Sequence, residues 1–259
     1  MLRLSLALFV GYLTTTAAHL ATAQTPADTV GAAAPRQLPH EFSSASLGTT
    51  VGYYAYLPAD YDQASGVGFP LLISLHGIGE RGNGGSDLPK VLKWGLPRLV
   101  QQGKYLPLLL ISPQLPATEK RWPVMLIDEL IAEVTARFRI DASRIYLSGL
   151  STGGEAAWAY AVARPKVLAA IVPIAAKGSA HDICAMRDVA VWAFHGELDK
   201  NEKLESEQRL VDALNACRPP PAEPASMTVY AGAGHEVWTR TYDGSAGNDI
   251  YPWLLAHHR

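Results

Sequence analysis

The chain has 259 residues, 48% hydrophobic and 18% charged, with 22 Lys+Arg against 24 Asp+Glu and a formal net charge of -2. That profile belongs to a globular protein with a full core and excludes disorder, collagen and coiled coil. There is no basic run to suit a nucleic acid, only two cysteines, and no C-x-x-C or H-E-x-x-H spacing, so no nucleic-acid partner, metal or other cofactor is expected.

The first residues read as targeting. Arg3 is followed by an apolar stretch from Leu4 to Val10, a softer apolar run to Leu20, and Ala21-Thr22-Ala23. This is the pattern of a secretory signal over residues 1–23 with cleavage before Gln24. Thr14, Thr15, Thr16 and His19 break the apolar run short of the ~20 residues that span a bilayer, so no stable membrane insertion is expected once the signal is removed. The mature protein is expected to be secreted or periplasmic. In an oxidising compartment Cys184 and Cys217 would tend to pair, the alternative being two separate buried thiols. Residues 24–40 are rich in Ala and Pro without periodicity and read as a flexible lead-in.

Residues 41–259 read as a single domain in which short apolar runs alternate with helical stretches. Thr49–Leu57 has the two-residue period of a half-buried strand. Phe69–Leu75, Pro107–Ser112, Arg144–Ser148, Leu168–Ile174, Val189–Phe194 and Met227–Tyr230 have the continuous apolar character of central strands. Between them, helices are predicted over Leu88–Gln102, Pro123–Phe138, Gly153–Ala163, Glu202–Ala216 and Asp249–His257. In the second of these, Ile127, Leu130, Ile131, Val134 and Phe138 form one core stripe. This alternation predicts an α/β fold: a mostly parallel central sheet with helices on both faces, without a large lid.

The sharpest chemical signal is Gly149-Leu150-Ser151-Thr152-Gly153, set between a predicted strand and a predicted helix. The G-x-S-x-G turn needs its glycines because a strand-to-helix reversal this tight brings backbones together and holds the serine in strained geometry. The helix start also places free N–H groups and positive dipole beside Ser151. A nucleophilic serine requires a base. Of eight histidines, His235 lies in a small-residue loop after the last strand, Tyr230-Ala-Gly-Ala-Gly-His235, and comes last in the order Ser, acid, His. His76 and His195 each end a strand ahead of that position, and His181 sits in a polar turn. The acid is expected on the loop His195-Gly-Glu-Leu-Asp199, with Asp199 first and Glu197 in reserve.

The loop His76-Gly-Ile-Gly-Glu-Arg-Gly82 could supply the Ile78 N–H to an oxyanion hole, with the Thr152 N–H as second donor. It also matches G-x-G-x-x-G. Asn83-Gly-Gly-Ser86 prolongs the loop, however, and no Asp or Glu occurs from Leu88 to Thr118, so a dinucleotide site is not expected. Near this chemistry Trp238, Gln114, Trp122, Arg81 and Glu155 are candidates for substrate contact. Trp238 could instead pack under its loop, and Arg81 could pair with Glu80 or Asp87.

These pieces in this order resemble the α/β-hydrolase superfamily over about residues 49–258. More narrowly, LHGIGERG, ISPQ followed by Trp122, RIYLSGLSTGG, VWAFHGELD and YAGAGHEVWTRTY resemble a group of secreted esterases also described as predicted peptidases, near the phospholipase/carboxylesterase and polyhydroxybutyrate-depolymerase-like families. The resemblance implies a serine carboxylic-ester hydrolase with Ser151, Asp199 and His235 as triad. The chain departs from it at Lys200-Asn-Glu-Lys203, where relatives often carry an apolar segment ending in proline. The absence of a lid suits short-chain or polymer-borne esters. A serine peptidase on the same fold and a non-catalytic binding protein are the rival readings.

Overall fold

Strand alternation divides the apolar residues between two cores. In the computed structural model, which describes residues 36–64, 66 and 68–259, eight strands form one sheet in the order β1-β2-β4-β3-β5-β6-β7-β8. They are β1 (Arg36–Ser44), β2 (Thr49–Leu57), β3 (Phe69–Leu75), β4 (Leu109–Pro113), β5 (Ile140–Leu150), β6 (Ala170–Ile174), β7 (Ala190–Gly196) and β8 (Ser226–Tyr230). β1 and β2 pair antiparallel, as do β2 and β4, and the remaining pairs are parallel.

Leu71, Ile73 and Leu75 of β3, Ile145 and Leu147 of β5, and Val191 and Ala193 of β7 point into one core. That face is covered by α2 (Val124–Arg137), α3 (Thr152–Ala163) and α4 (Leu204–Asn215), through Ile127, Leu130, Trp158 and Leu210 among others. Leu72, Tyr146, Val172, Ile174 and Phe194 point the other way, onto α1 (Gly95–Gln101), α5 (Trp238–Asp243) and α6 (Ile250–Ala256), through Leu96, Tyr242 and Leu254. A parallel sheet covered on both faces explains why every residue of β3 is buried.

Three elements differ from the sequence expectation. β1 begins at Arg36, so residues 36–40 form strand where a flexible lead-in is expected. Pro39 is tolerated there because β1 is an edge strand, and His40 stacks on Tyr53 of β2 at 5.3 Å. The single helix expected over Leu88–Gln102 is two pieces, a 3-10 stretch Gly85–Lys93 containing Pro89 and then α1. Trp94 is extended between them, and Gly95 has φ +67°, a conformation that suits glycine. α5 was not anticipated, because its six residues are too few to carry a helical period. The expected signal, residues 1–23, and lead-in residues 24–35 lie outside the described residues. Among the described residues no helix is long and apolar enough to cross a membrane.

Cys184, in a short turn before β7, is bonded to Cys217, just past α4. The bridge closes a span of 33 residues containing β7 and α4, the two elements that flank the loop of Asp199. Cross-linking a loop of that size removes unfolded-state entropy worth about 4 kcal/mol. A Cys184→Ser/Cys217→Ser variant is therefore expected to unfold at lower denaturant than the oxidised protein, and dithiothreitol should bring the parent to the same midpoint.

Candidate active site

β5 ends at Leu150 and α3 starts at Thr152, so one residue, Ser151, makes the whole reversal. Its backbone sits at φ 53°, ψ -119°, a strained region for a non-glycine residue. Two hydrogen bonds hold it there: its N–H donates to the Ile174 carbonyl (2.9 Å), and its carbonyl accepts from the Glu155 N–H (3.0 Å). The neighbouring glycines permit the crowding. A Cβ on Gly149 would lie 2.3 Å from the Gly153 carbonyl oxygen, and one on Gly153 would lie 2.1 Å from the Leu75 oxygen.

The loop after β8 brings His235 to this serine. His235 Nε2 lies 3.1 Å from Ser151 Oγ, and Nδ1 lies 2.7 Å from Asp199 Oδ2. The acid and base loops are bound to each other. Glu197 N–H donates to the Tyr230 carbonyl (3.1 Å) and Leu198 N–H to the Ala233 carbonyl (2.8 Å), while Gly196 packs so near Gly234 that a Cβ would come within 2.0 Å of its oxygen. Asp199 Oδ1 accepts from the Asn201 N–H (2.8 Å) and the Glu202 N–H (3.0 Å). Burial alone would raise the Asp199 carboxyl, but the hydrogen bonds from His235, Glu202 and Asn201 outweigh it and hold the group below the usual carboxylate range. Glu197 turns elsewhere and accepts the Gly232 N–H at 2.7 Å, so it is not the partner of His235.

The loop after β3 runs directly past the serine: a Cβ on Gly77 would lie 3.6 Å from Ser151 Cβ. Ile78 begins a short 3-10 turn, Ile78–Glu80, and Thr152 begins α3, so each N–H lies in a first turn with no carbonyl one turn back to bind. His76 fixes this loop from within. Its Nε2 accepts the Leu115 N–H (3.0 Å), its Nδ1 donates to the Gly77 carbonyl (2.6 Å), and its own carbonyl accepts the Trp122 indole N–H (3.1 Å). Burial pushes the His76 imidazole down to about 4, so it is neutral at pH 7.

The residues expected to touch substrate divide into two sets. Gln114 is 1% exposed and spends its amide on the loop, donating to the Glu80 and Asp87 carbonyls (3.0 and 2.8 Å) and accepting the Gly84 N–H (2.9 Å). Arg81 pairs with neither Glu80 nor Asp87; it donates to the carbonyls of Ile78, Ala117 and Glu119 (2.9, 3.3 and 2.9 Å). Both therefore brace the loop after β3. Trp238 is buried, with its ring edge-on to His235 at 5.4 Å, and it packs that imidazole. Trp122 and Glu155 do reach open space: with Arg121, Thr152, Ala156 and Lys177 they line a cavity of about 380 Å³. Lys177 is held by Glu155 (3.4 Å) and Glu202 (2.8 Å). The sequence reading missed Arg121, Lys177 and the roles of His76 and His195, which depend on contacts between separate elements.

No protein-family model matches the chain, and no curated protein matches it by sequence. Solved structures do. A thermostable esterase superposes with TM-score 0.70 at 24% identity, over 86% of this chain and 63% of its own, so the chain spans less than two thirds of that esterase. A ferulic acid esterase matches with TM-score 0.62 and 18% identity, over 86% of this chain and 98% of that one. An S-formylglutathione hydrolase from Staphylococcus aureus matches with TM-score 0.64 and 13% identity, over 85% and 99%. The chain has the α/β-hydrolase fold, with a mostly parallel sheet of eight strands.

Two outcomes follow from the packing. Gly153→Ala has no room at its Cβ and is expected to abolish soluble folded protein, while Gly79→Ala, with no atom within 4 Å of the new carbon, should melt within a degree or two of the parent. For His76 the folded-state value lies below the ordinary 6.5, so its contribution to stability is complete above pH 6.5 and is lost as pH falls toward 4. Denaturant unfolding at pH 7 and pH 4 should show the stability gap between the parent and His76→Gln narrowing by about 3 kcal/mol.

Proposed function

We propose that this protein is a serine hydrolase of carboxylic esters, with Ser151 as nucleophile, His235 as general base and acid, Asp199 as the acid that orients the imidazole, and the Ile78 and Thr152 N–H groups as oxyanion hole. The observation that carries the reading is the unbroken chain Ser151 Oγ, His235 Nε2, His235 Nδ1 and Asp199 Oδ2, at 3.1 and 2.7 Å, set at a strained strand-to-helix turn. That arrangement fits acyl transfer in two halves.

In the first half His235 Nε2 takes the Ser151 proton as Oγ attacks the ester carbonyl. The carbonyl oxygen becomes an anion that the two N–H groups receive, a donor of this kind being worth about 3 kcal/mol. Asp199 accepts the Nδ1–H throughout and stabilises the imidazolium. The intermediate collapses as His235 returns the proton to the departing alcohol, leaving an acyl-serine. In the second half water gives a proton to His235 as it attacks the acyl carbon, and the intermediate collapses as His235 returns that proton to Ser151 Oγ, breaking the acyl–Oγ bond and releasing the acid.

The substrate reading is short-chain or polymer-linked acyl esters. The cavity beside Thr152 is modest in volume, and exposed Ile78 and Leu198 put apolar side chains on the oxyanion and acid loops. A ferulic acid esterase and a thermostable esterase among the structural neighbours point the same way. The apolar N-terminus, read as an export signal, supports action outside the cytoplasm, in the periplasm or beyond the cell.

Hydrolysis of p-nitrophenyl acetate, butyrate, octanoate and palmitate by the purified protein should peak at the short chains, with peptide anilides uncut. Ser151→Ala should lower turnover by about 10⁶-fold and Asp199→Asn by about 10⁴-fold, both remaining folded. A fluorophosphonate should label the parent and not Ser151→Ala. Undiminished turnover in Ser151→Ala would remove the assignment.

A further inference from the structure

One cluster of buried titratable groups lies against the triad without a part in the steps above. His195, at the end of β7, is fully buried. Its Nε2 lies 3.3 Å from Asp199 Oδ2, the oxygen that also meets His235, and 3.0 Å from the Glu202 carbonyl. Its Nδ1 lies 2.6 Å from Oε2 of Glu207, a buried carboxyl on α4. Glu207 is itself held by the Trp158 indole N–H on Oε1 (3.1 Å) and the Ala176 N–H on Oε2 (3.2 Å).

Counting protons on this cluster leaves little freedom. The Glu202 carbonyl can only accept, and ionised Asp199 can only accept, so a lone pair on His195 Nε2 would face two acceptors in a site closed to water. Nε2 must therefore carry a proton. At Nδ1 the short contact to Glu207 is satisfied in two ways: an imidazolium donating to a carboxylate, or a neutral imidazole accepting from a protonated carboxyl. In both the pair is neutral overall, and in both the Nε2–H donates to the Glu202 carbonyl with Asp199 Oδ2 alongside it.

We propose that His195, anchored through Glu207, is a positioning residue for ester hydrolysis: its Nε2–H donates to the Glu202 carbonyl and so fixes the turn whose N–H groups orient Asp199, and its proton beside Asp199 Oδ2 limits the acid's pull on the His235 proton. The inference rests on the reading of Ser151, His235 and Asp199 as the catalytic triad. It also accounts for the acid loop. Lys200-Asn-Glu-Lys203 turns back so that the Asn201 and Glu202 N–H groups donate to Asp199 Oδ1 and the Glu202 carbonyl accepts the His195 Nε2–H.

The electrostatics agree with the geometry. Burial alone would push the His195 imidazole down, but the hydrogen bonds to Glu207 and the Glu202 carbonyl, with the charges of Glu207 and Asp199, hold it above its ordinary value. Burial raises the Glu207 carboxyl, so the pair keeps its two protons. The charged groups facing the cluster are Glu207 from α4, Asp199 from its own loop and His235 across Asp199. Beyond them Lys177, after β6, bridges Glu155 of α3 and Glu202.

The test joins a spectroscopic reading to a kinetic one. In the full protein labelled with ¹⁵N-histidine, the His195 resonances, identified by their absence in His195→Asn, should show Nε2 protonated at every pH from about 5 to 9. His195→Asn, whose shorter side chain does not reach the Glu202 carbonyl, should lower kcat about tenfold, the worth of one buried hydrogen bond, with KM little changed. With the Nε2–H gone from beside its Oδ2, Asp199 favours the His235 imidazolium, and the acid limb of the kcat/KM profile should move to higher pH. His195→Gln, whose amide reaches the Nε2 position, should recover most of both effects. An unprotonated Nε2, or parental kcat and pH profile in His195→Asn alongside a lowered melting temperature, would overturn the inference. If that variant fails to fold, His195→Gln supplies the assignment and the parental spectrum decides. Ser151→Ala run in parallel separates the two readings: turnover surviving there overturns the function, whereas turnover lost there but unchanged in His195→Asn overturns only the role of His195.

Discussion

The site depends first on steric clearance at the end of β5. Because Gly149 and Gly153 have no side chains, the start of α3 presses onto the strand it follows and onto the last carbonyl of β3. That single approach fixes three things. It forces Ser151 into its strained turn, it aims the first N–H groups of α3 at the space beside Oγ, and it brings the loop after β3 close enough for Gly77 to lie against the serine. A hydroxyl and two backbone donors are thus set by main-chain packing, which holds position better than flexible side chains would.

The acid and base loops obey the same rule. Gly196 against Gly234, with the bonds from Glu197 and Leu198 to the carbonyls of Tyr230 and Ala233, zips the end of β7 to the loop that carries His235. An isolated carboxylate withdrawn from water at Asp199 would be costly, and its charge is retained because backbone and imidazole donors surround it. The disulfide from Cys184 to Cys217 ties down both elements that flank this loop. Cross-links are therefore concentrated at the carboxyl edge of β7, around the contact between Asp199 and His235.

Most of this framework was legible in the sequence, and its gaps have definite causes. β3 matches its predicted bounds of Phe69–Leu75 because a strand buried on both faces is a bare apolar run between breakers. β1 was hidden because an edge strand can hold Pro39 and polar residues, and the predicted helix over Leu88–Gln102 ran past Pro89 and Gly95, which split it. Ser151, His235 and Asp199, which the structure brings within hydrogen-bond distance of one another, could be singled out because each follows a strand end. Gln114 and Arg81 were misjudged because polar side chains near a glycine-rich loop serve its unpaired backbone as readily as a ligand, and spacing does not distinguish the two. For Glu207 a signal was present: it falls in the same helical stripe as Leu210, Val211 and Leu214, a carboxyl on the face that must enter the core.

That carboxyl bears on why the interior behind the acid is polar at all. Leucine-like side chains at positions 195 and 207 would fill the space between β7, α3 and α4 and spare the desolvation of an imidazole and a carboxyl, and such exchanges often leave a protein more stable. An apolar filling, however, gives the Glu202 carbonyl beside Asp199 no donor and gives the Ala176 N–H and the Trp158 indole no acceptor. The polar cluster meets all of these demands at once and links three elements to the acid by directional bonds. Hydrophobic contact stabilises without direction, whereas hydrogen bonds from α3 and from the residues after β6 fix Glu207 of α4, and through it His195 and the turn that holds the carboxylate. Stability given up behind β7 is in this way exchanged for geometry in front of it.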